Sequence, residues 1–284
     1  VTTLRMRLRE LPAAVLLIGL VALGGPVGCG RDDTAVAPTE MSPPPGSVDL
    51  AGDFAAMQAD LPAGAVGVAV VADGAEQRFG DWSSGAAWST IKVAISVAAL
   101  RVDAAAAKPL VDRAITASDN DAAMALWQLL GDPADAGAQV HAVLAEGASA
   151  DTVVQTRQVY PPYSPFGQTQ WAQTDAARFA FTLPCVPDAA PVLERMRHIS
   201  AAQQWGLAAD DTPSKGGWGP DRDGGYLVRQ VALLPAATGT LGVALAADPD
   251  DGSFTTGVAM LDTLGDWVRA HRDAWPGGHC TPPR

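Results

Sequence analysis

The chain has 284 residues, with 19 basic against 31 acidic side chains and a formal net charge of −12. Apolar residues make up 48% of it, enough for a sizeable core, so a disordered chain is excluded as the default reading. The acidity argues against nucleic acid or an anionic membrane surface as a partner, because like charges repel.

From the N-terminus, Arg5, Arg7 and Arg9 precede an apolar run over 13–23 that is too short to span a bilayer comfortably. Small residues follow, ending at Gly28-Cys29. Residues 1–29 therefore read as a targeting segment with Cys29 as the lipidated residue after processing; an uncleaved hydrophobic anchor is the alternative. Either reading puts the rest of the chain on the outer face of the cell membrane. Residues 30–47, with Pro43-Pro44-Pro45, read as a flexible tether, and 48–284 as one domain.

Within that domain the pattern predicts a helix over 50–60, then strands over 65–72 and 77–82 across a turn at Asp73-Gly74. Residues 87–100 are apolar on nearly every helical face, so this helix belongs at the domain centre. Helices over 105–115, 121–130 and 136–145 follow, then a loop over 161–170 rich in proline and aromatics, then helices over 174–183 and 190–203. Strands over 226–234 and 240–247 precede a closing amphipathic helix over 257–271, and the residues after Trp275 read as loose apart from Cys280. Strands come first and last with helices between. The predicted class is α+β: an antiparallel sheet built from both chain ends beside a helical region, with a cleft between the two.

With Cys29 lipidated, Cys185 and Cys280 remain in an oxidising compartment. One disulfide is the economical reading, and two unpaired buried thiols the alternative. His141, His198, His271 and His279 share no ligand spacing, so neither a metal nor a cofactor is implied.

Only three lysines occur, Lys92, Lys108 and Lys215, so a retained lysine is a candidate for what arginine cannot do, namely lose its proton. Lys92 closes the motif Ser89-Thr90-Ile91-Lys92. Residues three apart on a helix share a face, so hydroxyl and amine can meet, and burial among Ile91, Val93 and Ile95 should lower the lysine pKa. An N-cap serine with a snorkelling lysine gives the same string. Ser118-Asp119-Asn120 opens the helix after it and is equally what a plain N-cap looks like. Lys215-Gly216-Gly217, before Trp218, lets a substrate backbone approach a strand edge, or is simply a turn.

In that order the three motifs resemble those of the class A β-lactamases and penicillin-binding proteins, over roughly residues 48–274. The string ITASDNDAA over 115–123 is close to the class A stretch, and KGGWGP and GYLVRQ look like a lipoprotein branch of the family found in high-GC Gram-positive bacteria. The resemblance implies Ser89 as acylated nucleophile, Lys92 as its base and Ser118 as a proton relay. It further implies Asn120 on the substrate amide, Lys215 by the substrate carboxylate, and the N–H groups of Ser89 and Trp218 as oxyanion donors beside Gly216 and Gly217.

Three departures stand out. Gly216 replaces the family's threonine or serine, and Arg229 on the next strand is the candidate to compensate. No acidic residue lies between Asp151 and Thr174, where class A enzymes carry the glutamate that activates the deacylating water. The 29 positions from Ser89 to Ser118 are a shorter gap than the family's usual one, which predicts a more open cleft. The expectation is a monomeric cell-envelope serine acyl-transfer enzyme acting on a peptide-like or β-lactam-like small molecule, with poor deacylation. A degenerate lipoprotein that binds or scaffolds is the second reading, and a working β-lactamase the third.

Overall fold

The computed structural model describes residues 48–73, 75–208, 212–220 and 224–282. The targeting segment, Cys29 and the tether lie outside the described residues.

Five antiparallel strands form the main sheet in the order β2-β1-β7-β6-β5: β1 is Gly64–Ala72, β2 Ala75–Gly80, β5 Ser214–Pro220, β6 Tyr226–Pro235 and β7 Thr240–Pro249. The sheet is drawn from both chain ends, as the order of elements predicts. Its two faces follow from the period-two alternation of side chains. Val66, Val68 and Val70 of β1 and Leu241, Val243 and Leu245 of β7 turn toward helices α1 (Leu50–Ala59) and α8 (Phe254–Ala270), packing on Phe54, Leu261 and Leu264. The other face carries small residues, which lets α6 (Gln173–Thr182) lie directly on the sheet. At Gly242 a Cβ would stand 2.2 Å from the Ala177 carbonyl oxygen. Gln173 fixes the start of α6 by donating to the carbonyls of Gly67 (3.0 Å) and Ala244 (2.8 Å).

Beyond α6 lie α2 (Lys92–Val102), α3 (Ala104–Thr116), α4 (Asn120–Leu129), α5 (Pro133–Glu146) and α7 (Ala190–Met196). Every residue of α2 from Lys92 to Ala99 is buried, as its all-round apolar pattern requires. A two-stranded ribbon, β3 (Ser84–Ala86) with β4 (Gln170–Ala172), joins the start of this region to the end of the 152–169 loop.

The Lys215 segment is strand β5, the strand-edge reading rather than the turn. Three features differ from the sequence expectation. Trp88–Ile91 is a 3₁₀ turn, and α2 begins only at Lys92. The helix over 190–203 stops at Met196, because the chain turns so that the Ser200 N–H can reach the Thr116 carbonyl at 2.9 Å. The tail past Trp275 is tied down: Thr240 and Gly278 exchange two backbone hydrogen bonds of 2.8 and 3.0 Å, and Cys280 is bonded to Cys185 with Cα atoms 5.9 Å apart.

Candidate active site

The site is assembled where the turn before α2, the start of α4 and strand β5 meet. Arg229 and the Ala87 N–H, which donates to the Thr169 carbonyl at 2.7 Å, hold the chain entering the turn. Trp88 then takes φ +48°, a left-handed conformation that a bulky side chain rarely adopts. Its ring lies against Gly219 of β5, where a Cβ would meet it at 2.5 Å, and Tyr163 packs on it edge-on at 5.3 Å. The strain delivers Ser89 half-buried at the turn, with no hydrogen bond from its hydroxyl to any described residue. Gly217 brings β5 against this backbone: a Cβ there would stand 2.8 Å from the nitrogens of both Ser89 and Thr90.

Three residues on, Lys92 is 2% exposed. Its Nζ donates to the Ser118 carbonyl at 2.6 Å and to Asn120 Oδ1 at 2.7 Å, with Ser118 Oγ at 3.5 Å. Burial pushes its pKa down to about 8 against the raising effect of the Asp119 carboxylate. Ser118, at φ +55°, lies between two amines, because Lys215 Nζ donates to its Oγ at 2.8 Å and to the Gly216 carbonyl at 2.7 Å. Lys215 is fully buried, and desolvation with the nearby Lys92 charge holds its pKa well below the usual lysine value. The Asp119 carbonyl is a more distant acceptor for Lys92 Nζ at 3.4 Å, while its carboxylate is turned elsewhere, capping α4 by accepting from the Ala122 N–H and pairing with Arg113.

The chemistry available follows from that list. A neutral amine has two N–H bonds and one lone pair. The two short contacts of Lys92 go to oxygen acceptors and use both N–H bonds, which leaves the lone pair for a proton. Asn120 and Ser118 thus orient the candidate base, and Lys215 donates to the Ser118 hydroxyl and leaves its proton free to move.

Two expected substrate contacts are arranged differently. Arg229, paired with Gly217 across β5 and β6, is fully buried. Its Nη1 donates to the carbonyls of Gly85 (3.0 Å), Ala86 (3.2 Å) and Trp171 (3.2 Å), and the guanidinium lies 5.0 Å from the Trp82 ring centroid. It is therefore withdrawn behind the Ser89 turn and does not fill the place of the hydroxyl missing at Gly216. That place is taken: a Cβ on Gly216 would stand 2.4 Å from the Trp205 ring. Neither the place of Trp205 nor the strain at Trp88 has a signal in the sequence pattern.

The 152–169 loop forms the far wall. Gln168 ties it, accepting from the Val159 and Tyr160 N–H groups and donating to the Tyr160, Tyr163 and Ser164 carbonyls. Between this loop and β3 lies a cavity of about 350 Å³ bounded by Trp82, Trp88, Gln155, Tyr160, Gln170 and Leu227, among others. No lysine or arginine among the described residues lines it.

No protein-family model matches this sequence, and no curated protein matches it. Solved structures do. A β-lactamase from Burkholderia vietnamiensis superposes with a TM-score of 0.59 at 18% identity, covering 79% of this chain and 96% of that one. A class A β-lactamase representative from Bacteroides cellulosilyticus gives 0.63 at 14%, covering 77% and 95%. A variant of the reconstructed last common ancestor of Gram-negative class A β-lactamases gives 0.57 at 18%, covering 79% and 100%. At these identities the likeness establishes the fold, that of the class A β-lactamases.

Proposed function

We propose that this chain is a cell-envelope serine acyl-transfer enzyme that forms an acyl-enzyme at Ser89 on a peptide-like or β-lactam-like substrate. The observation that carries the reading is the convergence of two buried lysines on Ser118, one of them three residues from Ser89. Two buried amines next to each other cannot both hold a proton cheaply, and burial brings the Lys92 pKa down to about 8, within reach of deprotonation in mildly alkaline solution.

In this reading the Ser89 Oγ attacks the substrate carbonyl as its proton passes to the Lys92 lone pair. The oxyanion gathers on the N–H groups of Ser89 and Trp218. Collapse breaks the bond to the leaving group, which takes a proton through the Ser118 hydroxyl, leaving Ser89 as an ester and Lys92 neutral again. Release needs a second base for water. Among the described residues no carboxylate bonds to the cluster, and the 152–169 loop carries none. Deacylation is therefore slow.

Export, lipid attachment at Cys29, a place at the outer membrane face, membership of the lipoprotein branch and a monomeric state belong to the same proposal and rest on the sequence of the first 47 residues and the motif strings. Labelling with palmitate that is lost in Cys29→Ala tests the anchor. The catalytic part is tested by mass spectrometry of the protein after treatment with an activated acyl ester, against Ser89→Ala. The binding-protein reading draws on one observation, the unengaged Ser89 hydroxyl, and would be favoured by folded protein that takes up no acyl group.

A further inference from the structure

Anionic acyl donors are favoured by a cation beside the reacting carbonyl, and among the described residues the cations at this site are buried and already engaged. The side-chain space of Gly216 is filled by the Trp205 ring. Lys215 is fully buried and already donates to Ser118 and to the Gly216 carbonyl. Arg229 is fully buried and turned to the carbonyls of Gly85, Ala86 and Trp171. The chain as a whole carries −12. A carboxylate entering here loses its water without gaining a charged donor, which is the expensive case for an anion. The long-range field opposes its approach as well.

From these placements we infer that the substrate is uncharged beside the scissile carbonyl: an ester or amide whose leaving group has no free carboxylate. This rests on the reading of Ser89 as the acylated nucleophile. The step itself is unchanged. The Ser89 Oγ–acyl bond forms, the bond from acyl carbon to leaving heteroatom breaks, and the Ser89 proton ends on the departing alcohol, thiol or amine.

The test uses one acyl group on two leaving groups, thioglycolate and its methyl ester. Acylation of the full chain is followed by intact-protein mass spectrometry, and each rate is divided by that probe's own rate with hydroxide in buffer. We expect the normalised rate to favour the methyl ester by roughly tenfold or more, the scale of one charge-assisted contact that the site does not make. Equal rates, or a faster carboxylate probe, would overturn the inference and leave Ser89 acylation standing. No adduct from either probe, with the protein folded by circular dichroism, would overturn both. The pair Trp205→Ala with Gly216→Thr clears the ring and restores a hydroxyl, so the ratio should move toward the carboxylate probe. An unchanged ratio in that folded variant would contradict the role given to Trp205.

Discussion

Lys215 Nζ and Lys92 Nζ share one hydroxyl, that of Ser118, at 2.8 and 3.5 Å. The sharing couples the protonation of the two amines, since charge on either one disfavours charge on the other. It also makes Ser118 the link between the candidate base and the strand that would carry the substrate.

The pH dependence follows from the sign of the Lys92 shift. The amine acts as a base only when unprotonated, and burial brings its pKa down to about 8. The acylation rate should therefore climb through about pH 8 and level off above it. Asp119→Asn keeps the cap on α4 but removes the charge that raises the Lys92 pKa, so the rising limb should move to lower pH. A limb that stays in place, measured by acylation rate against pH, would contradict the assignment of Lys92 as base. The same shift links to stability. The unfolded chain holds this proton up to the ordinary lysine value of 10.5, so the contribution of Lys92 to stability grows between about pH 8 and 10.5 and is smallest below that window.

Lys92→Arg should all but abolish acylation with little change in fold. Arginine keeps the charge and can donate to the Ser118 carbonyl and Asn120, but it cannot lose a proton. Retained acylation in this variant, read by mass spectrometry beside an unfolding curve, would move the base elsewhere.

Much of the site was legible because its chemistry needs particular side chains at particular spacings. Ser89 and Lys92 lie three apart, Ser118 and Asn120 begin a helix, and lysine is scarce elsewhere. The strand-helix-strand order likewise carried the sheet, and its β5 edge was ambiguous only because glycines suit both strand edges and turns. What pattern does not hold is which distant chain fills a given space. Trp205 reaches Gly216, and Arg229 reaches Gly85 and Ala86, across long sequence separations that periodicity does not encode. The strain at Trp88 was hidden for a related reason, since an apolar run reads as uninterrupted helix while packing against Gly219 and Tyr163 selects a 3₁₀ turn.

Arg229 should behave as a positioning residue for the Ser89 turn. Arg229→Met leaves the buried Trp171 carbonyl and the half-buried carbonyls of Gly85 and Ala86 without this donor, at about 1–3 kcal/mol for a buried one that finds no substitute. The melting temperature should fall. At a temperature where the variant is still folded, acylation of Ser89 should fall too, because the segment leading into Trp88 loses its anchor. A variant that melts early yet acylates normally would restrict Arg229 to stability.

Reducing the Cys185–Cys280 bond should destabilise the domain by about 2–4 kcal/mol, since it closes a loop with a sequence separation of 95. The check is an unfolding curve with and without reductant, or of the Cys185→Ala, Cys280→Ala double variant. An unshifted midpoint would show that the Thr240–Gly278 pairing holds the tail unaided.

Ready acylation of Ser89 followed by slow release separates the proposed enzyme from a working β-lactamase. Its most direct test is time-resolved intact-protein mass spectrometry after mixing with a stoichiometric amount of an uncharged activated ester, with peptide mapping of the adduct. One acyl group per chain is expected, located on Ser89, absent in Ser89→Ala, and persisting long after free ester is exhausted. An adduct that maps to another residue, or rapid turnover with no adduct accumulating, would contradict it.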